Sequence, residues 1–347
     1  MNIYKLLLLL VSVVLVSAFF TNLIRHLSIK YKFYDIPNDR SSHDARIPKG
    51  GGIPIIVIVF LSIAILLFLE KIDFYISISL LLGIIIISAT SLIDDFKSLS
   101  VTFRAIAYTF GAALSFYLID GLATITIGNN DFNLKYFSYP LCVLFIFWMT
   151  NLYNFMDGTD GFAAVQTICV SLFCGILAYI SSEISYAIIL LCIAASTIGF
   201  LFWNWSPAKI FMGDVGSCSL GFVFGLLSIH TEKNGLISIS IWLILLAPFI
   251  VDTSLTLIKR IITGEKWYKA HNTHAYQRFY QSGFSHGQLA IALLKINLLI
   301  IWPCAYIANI YKNLELAMLI LVYCFMGSIW LIGQKNLISK TKSFENN

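Results

Sequence analysis

Long apolar runs, separated by short polar connections, fill most of this chain. A bilayer core takes roughly 20 apolar residues per helix. By that measure eleven stretches predict membrane-spanning helices, near 3–24, 52–69, 75–93, 104–121, 138–154, 162–180, 185–203, 216–231, 237–258, 288–310 and 316–334. The first run is too long for the core of a signal peptide and lacks a small-residue cleavage site, so it reads as an anchor. No soluble domain and no internal repeat separates the runs. The expected fold is therefore all-α, a polytopic membrane helical bundle of about 11 helices, with residues 1–347 forming a single domain.

The basic residues orient this bundle. Alternate connections hold Arg25, Lys30, Lys32, Arg40, Arg46, Lys49, Lys97, Arg104, Lys209, Lys259, Arg260, Lys266, Lys269 and Arg278, and the tail adds Lys335, Lys340 and Lys342. The other side has Lys5, Lys71, Lys135, Lys233 and Lys312. The excess predicts that the first set and the C-terminus are cytoplasmic and the N-terminus is outside. Composition agrees: 59% of residues are hydrophobic and 12% charged, against about a quarter charged in an ordinary soluble domain. The net charge of +5 comes from this loop asymmetry, not from a basic run, which argues against nucleic acid as a partner. Seven cysteines lie scattered, mostly within apolar runs and without CxxC or Cys/His spacing. They read as small buried hydrophobes rather than zinc ligands or a disulfide framework.

Acidic residues are scarce and grouped. Asp94 and Asp95 stand in "SLIDDFKSLS", Asp157 and Asp160 in "NFMDGTDG", and Asp214 in "KIFMGDVGS". The topology brings these five carboxylates, from three distant segments, to one membrane depth on the cytoplasmic side. Like charges so crowded need a counter-charge, and a hard divalent cation with oxygen ligands, Mg²⁺ or Mn²⁺, answers that need. Carboxylates at helix ends also simply face water, but five converging on one depth favour a cation–phosphate site. On a helix, Asp157 and Asp160 would share a face, while Asp94 and Asp95 would diverge by about 100° and take different tasks. Asn154 and Asn204 offer neutral polar groups nearby, though either alone also suits a helix cap or a buried hydrogen bond.

Two cytoplasmic connections carry further candidates. In "DIPNDRSSHDARIPKGGGIP", Arg46 and Lys49 precede three glycines that open a helix, an arrangement suited to a phosphate and equally to an ordinary helix entry. In "KWYKAHNTHAYQRFYQSGFSHGQ", His271, His274, His286 and Arg278 gather among aromatics. No cysteine or carboxylate completes a zinc set there. Contact with phosphate or sugar fits, as does an interfacial amphipathic segment.

Taken together, "DIPNDRSSHDARIPKGGG", the "DD" at 94–95, "NFMDGTDG", "NWSPAKIFMGDVGS" at 204–217 and "HNTH" at 271–274 resemble the polyprenyl-phosphate N-acetylhexosamine-1-phosphate transferases. The motifs occur in the family order and span most of the chain. "AHNTHAYQR" is similar to the O-antigen-initiating branch, whose members often take 6-deoxy sugars such as N-acetylfucosamine or N-acetylquinovosamine. The peptidoglycan branch, an alternative, has consecutive histidines there. The resemblance implies that UDP-N-acetylhexosamine and undecaprenyl phosphate react at a Mg²⁺ site on the inner face of a bacterial cytoplasmic membrane, releasing UMP. It implies Asp214 as principal metal ligand with Asn154 as a second, and Asp94 as proton acceptor beside Asp95. It also implies Asp157, Asp160, Asn204, Phe211 and Gly213 around the nucleoside, with Arg46 near that pocket. His271, His274 and Arg278 fall to the diphosphate or sugar, a groove beside the ninth span holds the lipid, and a homodimer is compatible with the family.

The reaction implied is direct phosphoryl transfer, with metal and positioning dominant. An ion-coupled secondary transporter is the competing class. It would place its carboxylates near the bilayer midplane, in interrupted helices related by a repeat, and neither feature is legible here.

Overall fold

The computed structural model describes residues 2–35, 46–266, 268 and 271–344, with side chains through residue 335. Arg40 and Lys269, counted above among the orienting charges, lie outside these residues, as do the side chains of Lys340 and Lys342. Thirteen α-helices occur among the described residues: α1 (Ile3–Lys30), α2 (Ile53–Phe68), α3 (Phe74–Lys97), α4 (Val101–Leu118), α5 (Ser138–Phe155), α6 (Phe162–Ile180), α7 (Ile184–Asn204), α8 (Asp214–Lys233), α9 (Ile239–Ile262), α10 (Ala275–Gln281), α11 (His286–Ile296), α12 (Trp302–Ile310) and α13 (Glu315–Phe344). A π-helical turn, Asn297–Ile301, joins α11 to α12. Two short antiparallel ribbons complete the fold: β1 (Tyr34–Asp35) pairs with β2 (Ile47–Pro48), and β3 (Thr124–Ile127) with β4 (Asn130–Asn133).

Each of the eleven apolar stretches forms a helix or, at 286–310, a helix pair running through the π turn. Eight are long and apolar enough to cross a membrane: 3–30, 74–97, 101–118, 162–180, 184–204, 239–262, 286–310 and 312–335. The protein is thus an all-α, multi-pass membrane protein, and α2, α5 and α8 fall short of that standard. Helix α2 has only 16 residues. Helix α8 is rich in Gly and Ser, and every residue from Val215 to Thr231 is buried. A helix enclosed by protein need not be apolar all round to lie at membrane depth.

Local chemistry sets the helix ends. Asp73 accepts hydrogen bonds from the Tyr75 and Ile76 N–H groups to open α3, and Ser285 with Gln288 forms a capping box that opens α11. Pro248 lies inside α9, where it removes one internal hydrogen bond. Close to that point Gln166 donates to the Leu245 carbonyl at 2.7 Å, and Asn297 donates to Gln166 at 2.9 Å. One buried polar bridge therefore ties α6, α9 and the π turn together.

Helix α8 forms the axis, packed on α3 and α5, while α7 packs on α1 and α6, and α9 on α13. Helices α1 and α13 are peripheral, with only 11% and 17% of their apolar windows buried, so their exposed Leu, Val and Phe side chains face lipid. Close approach at the axis depends on missing side chains. A Cβ at Gly83 would lie 1.9 Å from the Phe222 ring, and one at Gly221 2.3 Å from the Met149 carbonyl oxygen. At the end remote from the conserved-looking motifs, Glu232 accepts from the N–H groups of Thr126 and Ile239, both at 2.7 Å. Glu315 accepts from the Gly128 N–H at 2.8 Å, so the β3–β4 ribbon is pinned across α8, α9 and α13.

Gly83→Ala should destabilise the detergent-solubilised protein by about 1–3 kcal/mol, the usual range for an overpacked core, despite alanine's better helix propensity. Adding Phe222→Ala should recover part of the loss. Thermal denaturation followed by size-exclusion chromatography checks this, and an unchanged midpoint for the single variant would contradict the packing described.

Candidate active site

At one end of the axis, the first connection lies against the segment preceding α8. The Gly51 and Gly52 N–H groups donate to the carbonyls of Phe211 and Met212, both at 2.9 Å, and the Phe211 N–H donates to Pro48 at 2.8 Å. A Cβ at Gly51 would meet the Phe200 ring at 2.5 Å, and one at Gly52 the Gly216 Cα at 2.5 Å. These glycines let two backbones touch. The N–H groups of Gly51 and Gly52 are committed to that pairing, which favours the helix-entry reading of the two left open for the triplet.

This pairing brings Lys49 and Gly213 beside the end of α3. Lys49 Nζ lies 3.2 Å from Asp95 and 3.8 Å from Asp35. Burial works against the Lys49 ammonium, yet Asp95 and Asp35 outweigh it and hold its pKa above the ordinary lysine value. Asp94, one residue earlier, turns elsewhere: it accepts from Arg104 at 2.8 Å and from the Leu99 N–H at 2.6 Å. The neighbours do have different tasks. With both oxygens engaged, Asp94 ties α3 to α4, while Asp95 faces Gly213, whose Cβ would stand 3.8 Å from an Asp95 oxygen.

Gly213, at φ +78°, turns the chain into α8 and sets Asp214 in its first turn. Asn154, from the end of α5, donates to Asp214 at 2.9 Å and to Ser217 at 3.1 Å, so its amide orients the carboxylate.

The 157–161 segment follows. Asp157 and Asp160 share no helix face, because α5 ends at Phe155 and α6 begins at Phe162, with Gly161 in the left-handed region. Burial first, and then the negative charges of Asp214, Asp35 and Asp160, push the Asp157 carboxyl well above its usual range. Asp160 differs. Burial would raise it, but His286, 3.1 Å away, and the Ala208 N–H at 3.1 Å more than offset this and hold it below its usual range. Asn204 accepts from the Gly161 N–H and donates to the Ile210 carbonyl, both at 2.9 Å. Its polar groups join two site loops and leave the nucleoside, expected as its partner, to others.

The last connection is clamped from below. Asp252 accepts from the Ala275 and Tyr276 N–H groups at 2.9 and 3.1 Å and lies 3.4 Å from His274 Nδ1. The Tyr276 hydroxyl donates to the Phe155 carbonyl at 2.9 Å, passing where a Cβ on Gly158 would stand. His274 is buried between Asp252 and the rings of Phe155 and Tyr276, whereas the resemblance gave it to the diphosphate or sugar. His271 is only half-buried and accepts from the Thr273 hydroxyl at 2.9 Å. Burial and the neighbouring His274 and Arg260 push its pKa down to about 4, so it is neutral at pH 7. Arg278 donates to the Thr273 carbonyl at 3.2 Å, and Arg46 is exposed at the rim.

Asp95, Asp157 and Asp214 thus gather with Lys49 as the cation closest to hand, and Asp35, not singled out in the sequence, adds to them. Nothing in the spacing of "YDIPNDR" betrays that β1 folds back toward α3. Beside this cluster, a cavity of about 210 Å³ opens among Met156, Phe162, Pro248, Tyr276, Leu293 and Met326, with Asp252 also on its wall. Its lining is almost wholly apolar. No group of three or more His, Cys, Asp or Glu residues among the described residues stands at metal-ligating spacing. Mg²⁺ asks for less, since one or two carboxylates with waters and substrate phosphates complete its shell. The negative charge around Asp157 is what such an ion would relieve, so the all-oxygen donor set fits a hard divalent cation, Mg²⁺ or Mn²⁺, rather than a softer ion such as zinc.

The protein is thus a multi-pass membrane bundle with a carboxylate cluster at one end of its axis and an apolar cavity lined in part by Met156, the residue before Asp157. Residues 77–232 match the family described as glycosyl transferase family 4. The chain is 28% identical over 320 residues to a probable undecaprenyl-phosphate N-acetylglucosaminyl 1-phosphate transferase of Bacillus subtilis, covering 89% of this chain and 87% of the relative. It is 30% identical over 165 residues to a phospho-N-acetylmuramoyl-pentapeptide-transferase of Clostridium perfringens, covering 46% and 49%. With one from Streptococcus thermophilus it shares 38% over 123 residues, covering 34% and 36%. The chain is thus similar to transferases that carry a sugar 1-phosphate to a polyprenyl phosphate, over most of its length in one case and over about a third to a half of it in the others.

Asp214→Asn should cut turnover at least a hundredfold and leave the melting midpoint within a few degrees, because the apolar packing of α8 is untouched. Asn204→Ala should instead lower the midpoint along with activity, because it unties two loops. Parallel activity and melting measurements separate the two, and equal midpoint losses would contradict the division.

Proposed function

We propose that this protein transfers N-acetylhexosamine 1-phosphate from a UDP-sugar to undecaprenyl phosphate on the cytoplasmic face of a bacterial inner membrane. The observation that carries the proposal is the grouping of Asp95 and Asp157 around Asp214, next to an apolar cavity lined in part by Met156, the residue before Asp157. A hydrophilic diphosphate and an isoprenoid phosphate must meet at such a boundary. In this reading the isoprenoid lies along α9 and α11, with its phosphate at the carboxylate end.

An oxygen of the lipid phosphate attacks the sugar-linked phosphorus. The bond to the UMP oxygen breaks as the new phosphorus–oxygen bond forms. A phosphate monoester has its second pKa near 6, so much of the acceptor is already dianionic, and Asp95 takes the proton from the remainder. Asp94 supports this indirectly, fixing the end of α3 through Arg104. When bound, Mg²⁺, or Mn²⁺ in its place, neutralises charge on the diphosphate and on the departing UMP. Asp214 would hold it, with Asn154 setting the carboxylate's orientation.

For the donor, similarity along most of the chain to a protein named for N-acetylglucosamine supports an N-acetylhexosamine. The "AHNTHAYQR" segment favours the finer reading, a 6-deoxy donor in O-antigen initiation. The relatives named for pentapeptide transfer match over 36% to 63% of their length, against 87% for the relative named for N-acetylglucosamine, which supports the peptidoglycan step less well.

Purified protein given undecaprenyl phosphate and Mg²⁺ should release UMP from at least one of UDP-N-acetylglucosamine, UDP-N-acetylfucosamine and UDP-N-acetylquinovosamine. EDTA should abolish release, and Mg²⁺ or Mn²⁺ should restore it. Turnover persisting in EDTA would remove the metal from the mechanism, and silence across donors would remove the reading itself. Exchange of labelled UMP into UDP-sugar without lipid would replace direct displacement by a covalent intermediate.

A further inference from the structure

His286 opens α11 with its side chain 9% exposed. Its Nδ1 lies 3.1 Å from an Asp160 oxygen and 3.4 Å from the Asp160 N–H. The two contacts require opposite tautomers. The shorter one, to an ionised acceptor whose other oxygen takes the Ala208 N–H at 3.1 Å, is the stronger, so Nδ1 carries the proton and donates. Nε2 is then an acceptor, fully buried and without a hydrogen-bond partner among the described residues. Leaving a buried polar atom unpaired is destabilising, so an apolar residue would serve better here if packing were the only requirement.

We propose that His286 is a positioning residue of the transfer reaction, locking through Asp160 the 157–161 turn against the 206–208 loop so that the donor's nucleotide is bound in register. The link joins three separate segments: the turn bearing Asp157, the loop leading to Asp214, and the last connection. Gly161, the next residue, is tied to Asn204, so slack at Asp160 would pass to a turn held firmly only at its far end. Tyr280, with its ring centroid 4.5 Å from that of His286, keeps the imidazole in place from α10. His286 does not touch the reacting atoms in this account. It acts on how tightly the nucleotide is held, and the proposal rests on the transferase reading above.

The test compares His286→Ala, His286→Asn and His286→Gln in the full-length protein. An asparagine amide N–H can occupy the place of Nδ1–H, whereas a glutamine amide reaches toward the place of Nε2. His286→Ala should raise KM for the donor and the Kd for UMP about tenfold, with kcat within about threefold of wild type. His286→Asn should restore most of the loss and His286→Gln little of it. A double-mutant cycle with Asp160→Asn should show KM effects well short of multiplicative, since both changes break one link. An unchanged KM and Kd in His286→Ala, or rescue by Gln and not Asn, overturns the proposal. If His286→Ala fails to fold, the Asn variant and Asp160→Asn still decide it: independent, multiplicative effects of these two would also overturn it. Wild-type protein that releases no UMP would defeat the transferase reading instead. The cycle repeated on thermal midpoints would then still report whether the Asp160–His286 link exists.

Discussion

Crowded negative charge at one end of an apolar bundle is the constraint on which the rest depends. Each carboxylate there is treated differently. Asp94 is matched by Arg104, Asp160 by His286 and a backbone N–H, and Asp95 by Lys49. Asp214 receives the Asn154 amide and feels Lys49 and Arg104 at longer range, while Asp157 is buried, with Asp214, Asp35 and Asp160 as its charged neighbours. Compensation is therefore complete at the edges of the cluster and deficient at its centre. A folded protein tolerates such a deficit only where an external cation or a change of protonation removes it.

The crowding is possible because backbones replace side chains around it. Gly51 and Gly52 approach Phe200, Met212 and Gly216 so closely that a Cβ at either position would stand within 2.5 Å of a neighbouring atom. That contact delivers Lys49 to Asp95 and Asp214 to the end of α5. Further down the axis, Gly83 and Gly221 let α3 and α5 close on α8. Rigid packing below and backbone pairing above leave the carboxylates little room to relax apart, and so their mutual repulsion persists into the folded state.

Much of this was legible in the sequence, because the signals were strong and one-dimensional. Apolar runs of bilayer length located the helices within a few residues, and a short list of acidic residues pointed to the carboxylates that the fold groups at one end of the axis. Direction was not legible. No spacing rule tells that Asp94 turns to Arg104 while Asp95 turns inward, since that depends on where α4 packs. Asn204 illustrates the same limit: a lone amide is equally a ligand or a clamp until both its partners are seen. The glycine triplet left two readings open because a phosphate cradle and a close backbone contact demand the same residue. Histidines in the last connection looked exposed because polar loops usually are, yet Asp252 beneath them draws His274 into the protein.

That last connection shows how specificity and anchoring can be separated. Asp252 holds the N–H groups of Ala275 and Tyr276, and backbone groups are offered by almost any sequence. Asp160 holds the imidazole of His286 at the other end of the same connection. Between these two fixed points, His271 and Arg278 remain partly exposed, whereas His274 is packed between Phe155 and Tyr276, with ring centroids 6.2 and 5.9 Å away. Side chains at 271 and 278 can therefore change with little effect on the anchor, and a change at 274 must disturb it. If donor choice is written in this connection, it is written at the half-exposed positions. The buried histidine sets where they stand.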